Sequence, residues 1–369
     1  MVSFEMSDEQ KMVQETVASF ATDQIEPIMR ESDEQKEVPG EVIAKGWELG
    51  LLGGSIPEEY EGFGEEISTL TGQIALEELA WGDLSVGLHL MAPTVLAISV
   101  LDQGTDEQKT QLLPAFCGEE YKAASSAIVE PYYNFCASAL RTTAERDGEE
   151  YVINGSKCLV PLAQEAENMM VFAATTTGMG FSGVDGFIVS AGTKGMSVGE
   201  REKNMGINAL ATYPVTFKDC RVPSAARLGG DTGCNFLRLL SRSRLALCAL
   251  AVGMSRRAME FSRDYAVQRE AFGEPIASRQ AIAFMIAEMA IEVDAARLLA
   301  WEAAWRCDKN MDFNKEAALA KNYAADMAMM VCDRGVQIMG GHGYVRDNPV
   351  ELWFRNARGF AAFEGFVMV

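Results

Sequence analysis

The chain has 369 residues, with 32 Lys and Arg against 53 Asp and Glu, a formal charge of −21; that balance argues against a surface built to bind nucleic-acid phosphates. With 48% hydrophobic and 23% charged residues, it has the composition of a globular protein rather than a disordered one, and its length suits roughly two or three domains. The acidic surplus is scattered rather than gathered in a tail, so it reads as a soluble surface that repels its own copies.

The N-terminus, Met1 to Gln10, lacks the basic start and apolar run of a secretory signal, which predicts a cytoplasmic protein. Up to about residue 122 the chain reads as helices, opened by capping boxes at Ser7-x-x-Gln10 and Thr105-x-x-Gln108 and interrupted by turns through Ile56 to Gly64. Leu84 to Leu101 carries no charge but holds Gly87, His89 and Pro93 between Asp83 and Asp102, a pattern that predicts a buried helix pair rather than a membrane span. From about 123 to 228 short β-like runs take over: Ser138 to Arg146, a turn at Asp147-Gly148, Glu150 to Ile153, a second turn at Asn154-Gly155, then Met169 to Ala174, Gly186 to Val189 and Tyr213 to Phe217. The rest is helical again, in segments near 235–267, 279–308 and 315–339, the last stopped by Gly340-Gly341.

Eight widely spaced cysteines without a Cys-x-x-Cys, and only two histidines, support neither a disulfide framework nor a metal site. Gly-x-Gly-x-x-Gly after a strand, a Walker loop and a Gly-x-Ser-x-Gly elbow are all missing. Taken alone, Gly340-Gly341-His342-Gly343 is more simply a helix stop than a ligand cradle, and Glu364 a surface charge.

Several motifs acquire meaning together. Ile56-Pro57-Glu58-Glu59-Tyr60, Glu77-Glu78-Leu79, the hairpin from Glu149 to Lys157, Gln268-Arg269-Glu270-Ala271-Phe272-Gly273, Gln280-Ala281-Ile282, Gln337 to Gly343 and Phe363-Glu364-Gly365 resemble, in order, the acyl-CoA dehydrogenase family over essentially the whole chain. The resemblance implies an α+β protein with an N-terminal helical domain (1–122), a middle β-barrel-like domain (123–228) and a C-terminal four-helix bundle (229–369), usually assembled as a tetramer of two dimers. It implies FAD and an acyl-CoA thioester as ligands, fatty acid metabolism as the setting, and an electron-transferring flavoprotein as oxidant.

In that family a carboxylate at the position of Glu364 removes the thioester α-proton while the β-hydrogen leaves as hydride to the flavin. Such a proton yields to a carboxylate only where the enolate oxygen is hydrogen-bonded and water is excluded. The family's second location for the base falls on Ser243, which cannot serve. The resemblance makes Arg244 a substrate contact near the CoA entrance, although the acidic family residue three places earlier is Ser241 here. Across the dimer, Arg269 resembles the arginine on the FAD pyrophosphate, where a planar guanidinium suits paired phosphates. Phe272 packs nearby, and Gln280, Gln337, Gly340 and Gly341 resemble residues along the ADP part, the glycines permitting close backbone approach. Read without the family, Arg269 is a bundle salt bridge to Glu270 or Glu274.

The part of the flavin site that serves a subunit's own ring departs from the pattern. The family's Thr-Glu-Pro-Gly-x-Gly-Ser-Asp reads Val129-Glu130-Pro131-Tyr132-Tyr133-Asn134-Phe135-Cys136, its Trp-Ile-Thr reads Leu159-Val160-Pro161, and the Thr after Glu-Gly is Phe366. Hydroxyls are lost, and Pro161 has no N–H to give. Tyr132, Tyr133, Phe135 and Phe366 offer bulk where the ring would sit. Three readings follow: one partner of a mixed assembly with a homologous subunit that holds the complete ring site; a flavin-free subunit doing non-redox enolate chemistry on an acyl-CoA; or a structural subunit. A homo-oligomer whose rebuilt loop still binds FAD stands beside them.

Overall fold

The computed structural model describes residues 5–64 and 68–369, so Met1 to Phe4 of the N-terminal reading lie outside it. Seven helices open the chain: α1 (Asp8–Phe20), α2 (Met29–Gln35), α3 (Gly40–Glu48), α4 (Thr69–Gly82), α5 (Leu84–Met91), α6 (Thr94–Gln103) and α7 (Asp106–Leu112). Both capping boxes form, Ser7 with Gln10 at α1 and Thr105 with Gln108 at α7. The uncharged stretch becomes α5 and α6, bent by 43° and buried along almost their whole length. Among the described residues no single helix is long and apolar enough to cross a membrane.

Seven strands then make one curled sheet: β1 (Ala124–Ala127), β2 (Thr143–Asp147), β3 (Glu150–Pro161), β4 (Asn168–Ala174), β5 (Val184–Ser190), β6 (Met196–Val198) and β7 (Thr212–Pro223). β4 is the branch point, parallel to β1 and antiparallel to β5, while β3 runs antiparallel between β2 and β7. Met170 and Phe172 of β4 enter the apolar core beneath α6, and Met169, Val171 and Ala173 enter the core on the other face, so both faces are covered. The Asp147-Gly148 turn forms, with Asp147 paired to Glu150. Two other expectations fail. Residues 138–142 are not strand, because the N–H groups of Arg141 and Thr142 donate to the Glu130 carboxylate at 2.8 Å each rather than to a neighbouring strand. Asn154-Gly155 is not a turn either: β3 runs straight through it with a register shift, and the Asn154 side chain accepts from the Asp219 N–H at 2.8 Å across the ladder.

The C-terminal part holds α8 (Phe236–Gln268), a two-stranded ribbon of β8 (Glu270–Ala271) and β9 (Glu274–Pro275), α9 (Gln280–Asp308), α10 (Asn314–Met339), α11 (Gly341–Tyr344) and α12 (Val350–Ala357). The three long helices match the segments read from the sequence, and the short α12, whose start is set by Pro349, closes the bundle. Ion pairs lock α4 into it: Arg256 of α8 reaches Glu77 at 2.7 Å and Glu78 at 2.5 Å, and Arg297 of α9 reaches Glu77 at 3.0 Å. The Asp308 carboxylate at the end of α9 accepts from the first N–H groups of α4, Thr69 at 2.7 Å and Leu70 at 3.2 Å.

Candidate active site

The segment after α12 is pinned by aromatic packing. Phe363 lies 5.7 Å from Phe360 and 4.7 Å from Phe366, ring centre to ring centre, all three buried in the bundle core. Gly365 sits at φ +72°, and a Cβ there would collide with Ile128, so the turn requires glycine. Its N–H donates to the Ser243 Oγ at 3.1 Å, and its carbonyl accepts from the Ser126 hydroxyl. Ser243, excluded as a base, thus anchors the turn that carries Glu364.

The Glu364 carboxylate faces two cations. Arg244 of α8 places Nη2 3.1 Å from Oε1 and Nε 3.3 Å from each oxygen, and Lys321 of α10 places Nζ 3.5 Å from Oε1. Side-chain exposure is 11% for Glu364, 18% for Arg244 and 11% for Lys321, so solvent screens the cluster weakly. Beside it the buried Cys248 thiol is pushed up to about 12 by burial and stays neutral. Arg244, expected at the substrate, is therefore held against the candidate base. Lys321 was not foreseen; its one sequence signal is a charge lying between Ala317, Ala320 and Ala324 of the buried face of α10.

On the ring side, the structure supplies few donors for a flavin. Val129 is buried and has no hydroxyl; Pro161 has no N–H, and its carbonyl accepts from Ser125. The Leu159 N–H is taken by the Glu202 carboxylate, at 3.0 and 3.2 Å, which also accepts from Thr212 Oγ1 at 2.8 Å. Glu130 and Lys157 form an ion pair at 3.0 Å, 2% and 0% exposed, and Lys157 also donates to the Ile128 carbonyl at 3.0 Å. Burial alone would raise the Glu130 carboxyl, but Lys157 and the two backbone N–H groups outweigh it and hold it below the usual range. The expected aromatic filling is only partly realised. Phe366 is buried and Phe135 half-buried, but Tyr132 turns out to stack on Arg141 at 3.9 Å and Tyr133 stands fully in solvent. With Tyr132 turned onto Arg141 and Tyr133 in solvent, those two aromatics do not fill the ring region.

The other candidate residues lie at an exposed end of the bundle. Arg269 follows α8 and is exposed, and its side chain makes no ion pair or hydrogen bond among the described residues. The bundle salt bridge does not form, because Glu274 pairs with Arg279 at 2.9 Å. Phe272, at φ +57° and 95% exposed, lines an open groove of about 570 Å³ with Ala271, Ile276, Arg279, Ile282 and Ile338. Gln280 begins α9 and Gln337 lies in the last turn of α10, both exposed; Gly340 and Gly341 are exposed too, with nothing within 4 Å of the position of a Cβ. This is an open, unpartnered end of the bundle with backbone bare enough for close approach. Arg244 lies in the third turn of α8 and Arg269 just past its C-terminal end, about 37 Å apart at 1.5 Å per residue, so the structure gathers Glu364, Arg244 and Lys321 in one place and the residues expected at a nucleotide in another.

Three family models cover the chain: acyl-CoA dehydrogenase, N-terminal domain at residues 7–120, middle domain at 125–220 and C-terminal domain at 235–366. The chain is 38% identical to the probable acyl-CoA dehydrogenase YngJ of Bacillus subtilis, over 99% of this chain and 96% of that one. It is 35% identical to the mitochondrial short-chain specific acyl-CoA dehydrogenase of Bos taurus, over 98% and 88%. Among solved structures, the butyryl-CoA dehydrogenase of Megasphaera elsdenii superposes with a TM-score of 0.89 at 31% identity, over 98% and 96%.

Proposed function

We propose, from the premise that this chain belongs to the acyl-CoA dehydrogenase family, a family of FAD-linked oxidoreductases acting on CH–CH bonds, that it works on a short-chain acyl-CoA as one subunit of a mixed assembly. The names of its relatives favour the short acyl chain. In this reading Arg269, Phe272, Gln280, Gln337, Gly340 and Gly341 are lent across a subunit interface, to hold the nucleotide end of FAD in the site of a homologous partner. The observation that carries it is the split within one chain. The exposed nucleotide half has its arginine unpaired, while the ring half has its donors replaced or already engaged by Glu202.

When bound, FAD supplies the hydride acceptor, and an electron-transferring flavoprotein serves as the oxidant. At this chain's own site, Glu364 acts on the α-proton of a thioester held near Arg244. The buried turn around Gly365 excludes water from one side of the carboxylate, and the Ser243 and Ser126 hydroxyls fix its backbone.

Flavin counting tests this. Purified alone, the protein is expected to be colourless, and co-expressed with a neighbouring homologue it is expected to carry about one flavin per two chains. One flavin per chain in the protein alone would restore the ordinary homo-oligomeric dehydrogenase. A mixed assembly in which acyl-CoA chemistry survives Glu364→Gln unchanged would make this chain a structural subunit.

A further inference from the structure

We infer that Lys321 is a positioning residue for Glu364: by holding Oε1 from the α10 side, it leaves Oε2 as the oxygen that takes the substrate α-proton. The inference rests on the reading of Glu364 as the base. It begins from an asymmetry in the contacts. Oε1 accepts from Arg244 Nη2 at 3.1 Å and Nε at 3.3 Å and is the carboxylate oxygen nearest Lys321 Nζ, at 3.5 Å, whereas the hydrogen bond to Oε2 comes from Arg244 Nε, at 3.3 Å.

Arg244 meets one edge of the carboxylate, with Nη2 on Oε1 and Nε equidistant from both oxygens. The terminal torsion of a glutamate is broad, so a carboxylate held along one edge by Arg244 alone still rocks about it. Lys321 limits that rocking. It comes from a different helix, α10 rather than α8, and its nearest approach is to Oε1. The backbone of the turn is fixed independently, through Ser243 on α8 and Ser126 on β1, so Arg244 and Lys321 together restrict the side-chain torsions that remain. Cys248, the other titratable group packed against the cluster, is a neutral thiol and does not compete.

The step needs no oxidant. Oε2 forms the O–H bond, the α-C–H electron pair becomes the thioester enolate, and return of a solvent-exchanged proton regenerates the thioester with deuterium at the α-carbon. Butyryl-CoA incubated in D2O with this chain purified by itself, away from any partner with a base of its own, therefore reports on Glu364 without turnover of a flavin. Glu364→Gln is expected to abolish exchange. Lys321→Met is expected to lower the maximal exchange rate about tenfold, the cost of a misdirected base, with KM held within about twofold, and Lys321→Arg to restore most of the rate. An unchanged rate in Lys321→Met, or a loss shared between rate and KM that Lys321→Arg does not rescue, would overturn the positioning role. Exchange that survives Glu364→Gln would instead sink the reading of Glu364 as the base. A second measurement stands apart from exchange altogether: the antisymmetric carboxylate stretch of Glu364, isolated as the infrared difference between wild type and Glu364→Gln. The band is expected to shift in Lys321→Met and to be largely preserved in Lys321→Arg; an unmoved band removes Lys321 from the carboxylate.

Discussion

Asp83 ends α4 and caps α5, its Oδ1 accepting from the Val86 N–H at 3.0 Å in a wholly buried position. Burial, the largest influence, outweighs the Val86 and Ser85 donors and pushes its carboxyl up to about 7. Glu130 is buried as deeply and moves the other way, because Lys157 is there to balance it. The sign for Asp83 follows from proton counting. Between the unfolded value near 3.9 and the folded value of about 7, the folded chain binds the extra proton. Stability from this group is therefore present at low pH and lost as pH rises through that window. Asn caps a helix as well as Asp does and has no charge to bury. Asp83→Asn is expected to match wild type near pH 4 and to exceed it at pH 8 by up to about 4 kcal/mol, as read from denaturant unfolding of the assembly at both pH values. A difference independent of pH would show that Asp83 meets its charge elsewhere.

Along α9, Met289, Val293, Ala296, Ala300 and Ala303 face the core, while Phe284, Ile291 and Leu298 stand 58%, 64% and 43% exposed. The exposed three repeat every seven residues, the spacing of an apolar seam that packs against another helix. Oligomerisation is typical of the family, and Ile291→Glu is expected to shift the protein to a smaller species in light scattering, with its circular dichroism unchanged. A helix apolar on both faces also shows where sequence reading stops. The long helices and the two capping boxes were legible because their signals are local, as was the Asp147-Gly148 turn. Asn154-Gly155 was misread because its asparagine is committed to Asp219, a contact made only once β7 pairs with β3. Residues 138–142 were misread because a distant carboxylate claims their amides. At the site, Glu364 was legible only through the neighbouring motif, since a lone glutamate carries no pattern. Its partnership with Lys321 is made by packing α10 against α8, and no spacing in the chain announces it.

At the scale of the molecule, two chemistries are kept apart by the length of one helix. Much of the negative charge is tied internally to arginines, as at Asp33 with Arg355 and Asp102 with Arg238, whereas Arg269 is left without an acidic partner at the open end of the bundle. If that end serves a neighbour's cofactor and the other end this chain's own substrate, the two must respond separately to substitution. Arg269→Gln, made in this chain alone within the co-expressed assembly, removes a charge-assisted contact to phosphate worth about 1.5–3 kcal/mol. Flavin affinity is then expected to fall by roughly tenfold to a hundredfold, measured by fluorescence of the released cofactor on dilution. Exchange of the butyryl-CoA α-proton at Glu364, read on the same Arg269→Gln chain purified without its partner, is expected to stay at the wild-type rate, because Arg244 lies about 37 Å away along α8. Loss of exchange in step with flavin would mean that both sets of residues serve one site, which the separation of Arg244 from Arg269 along a continuous helix forbids within a single subunit. Retained flavin would mean that the open end binds something else.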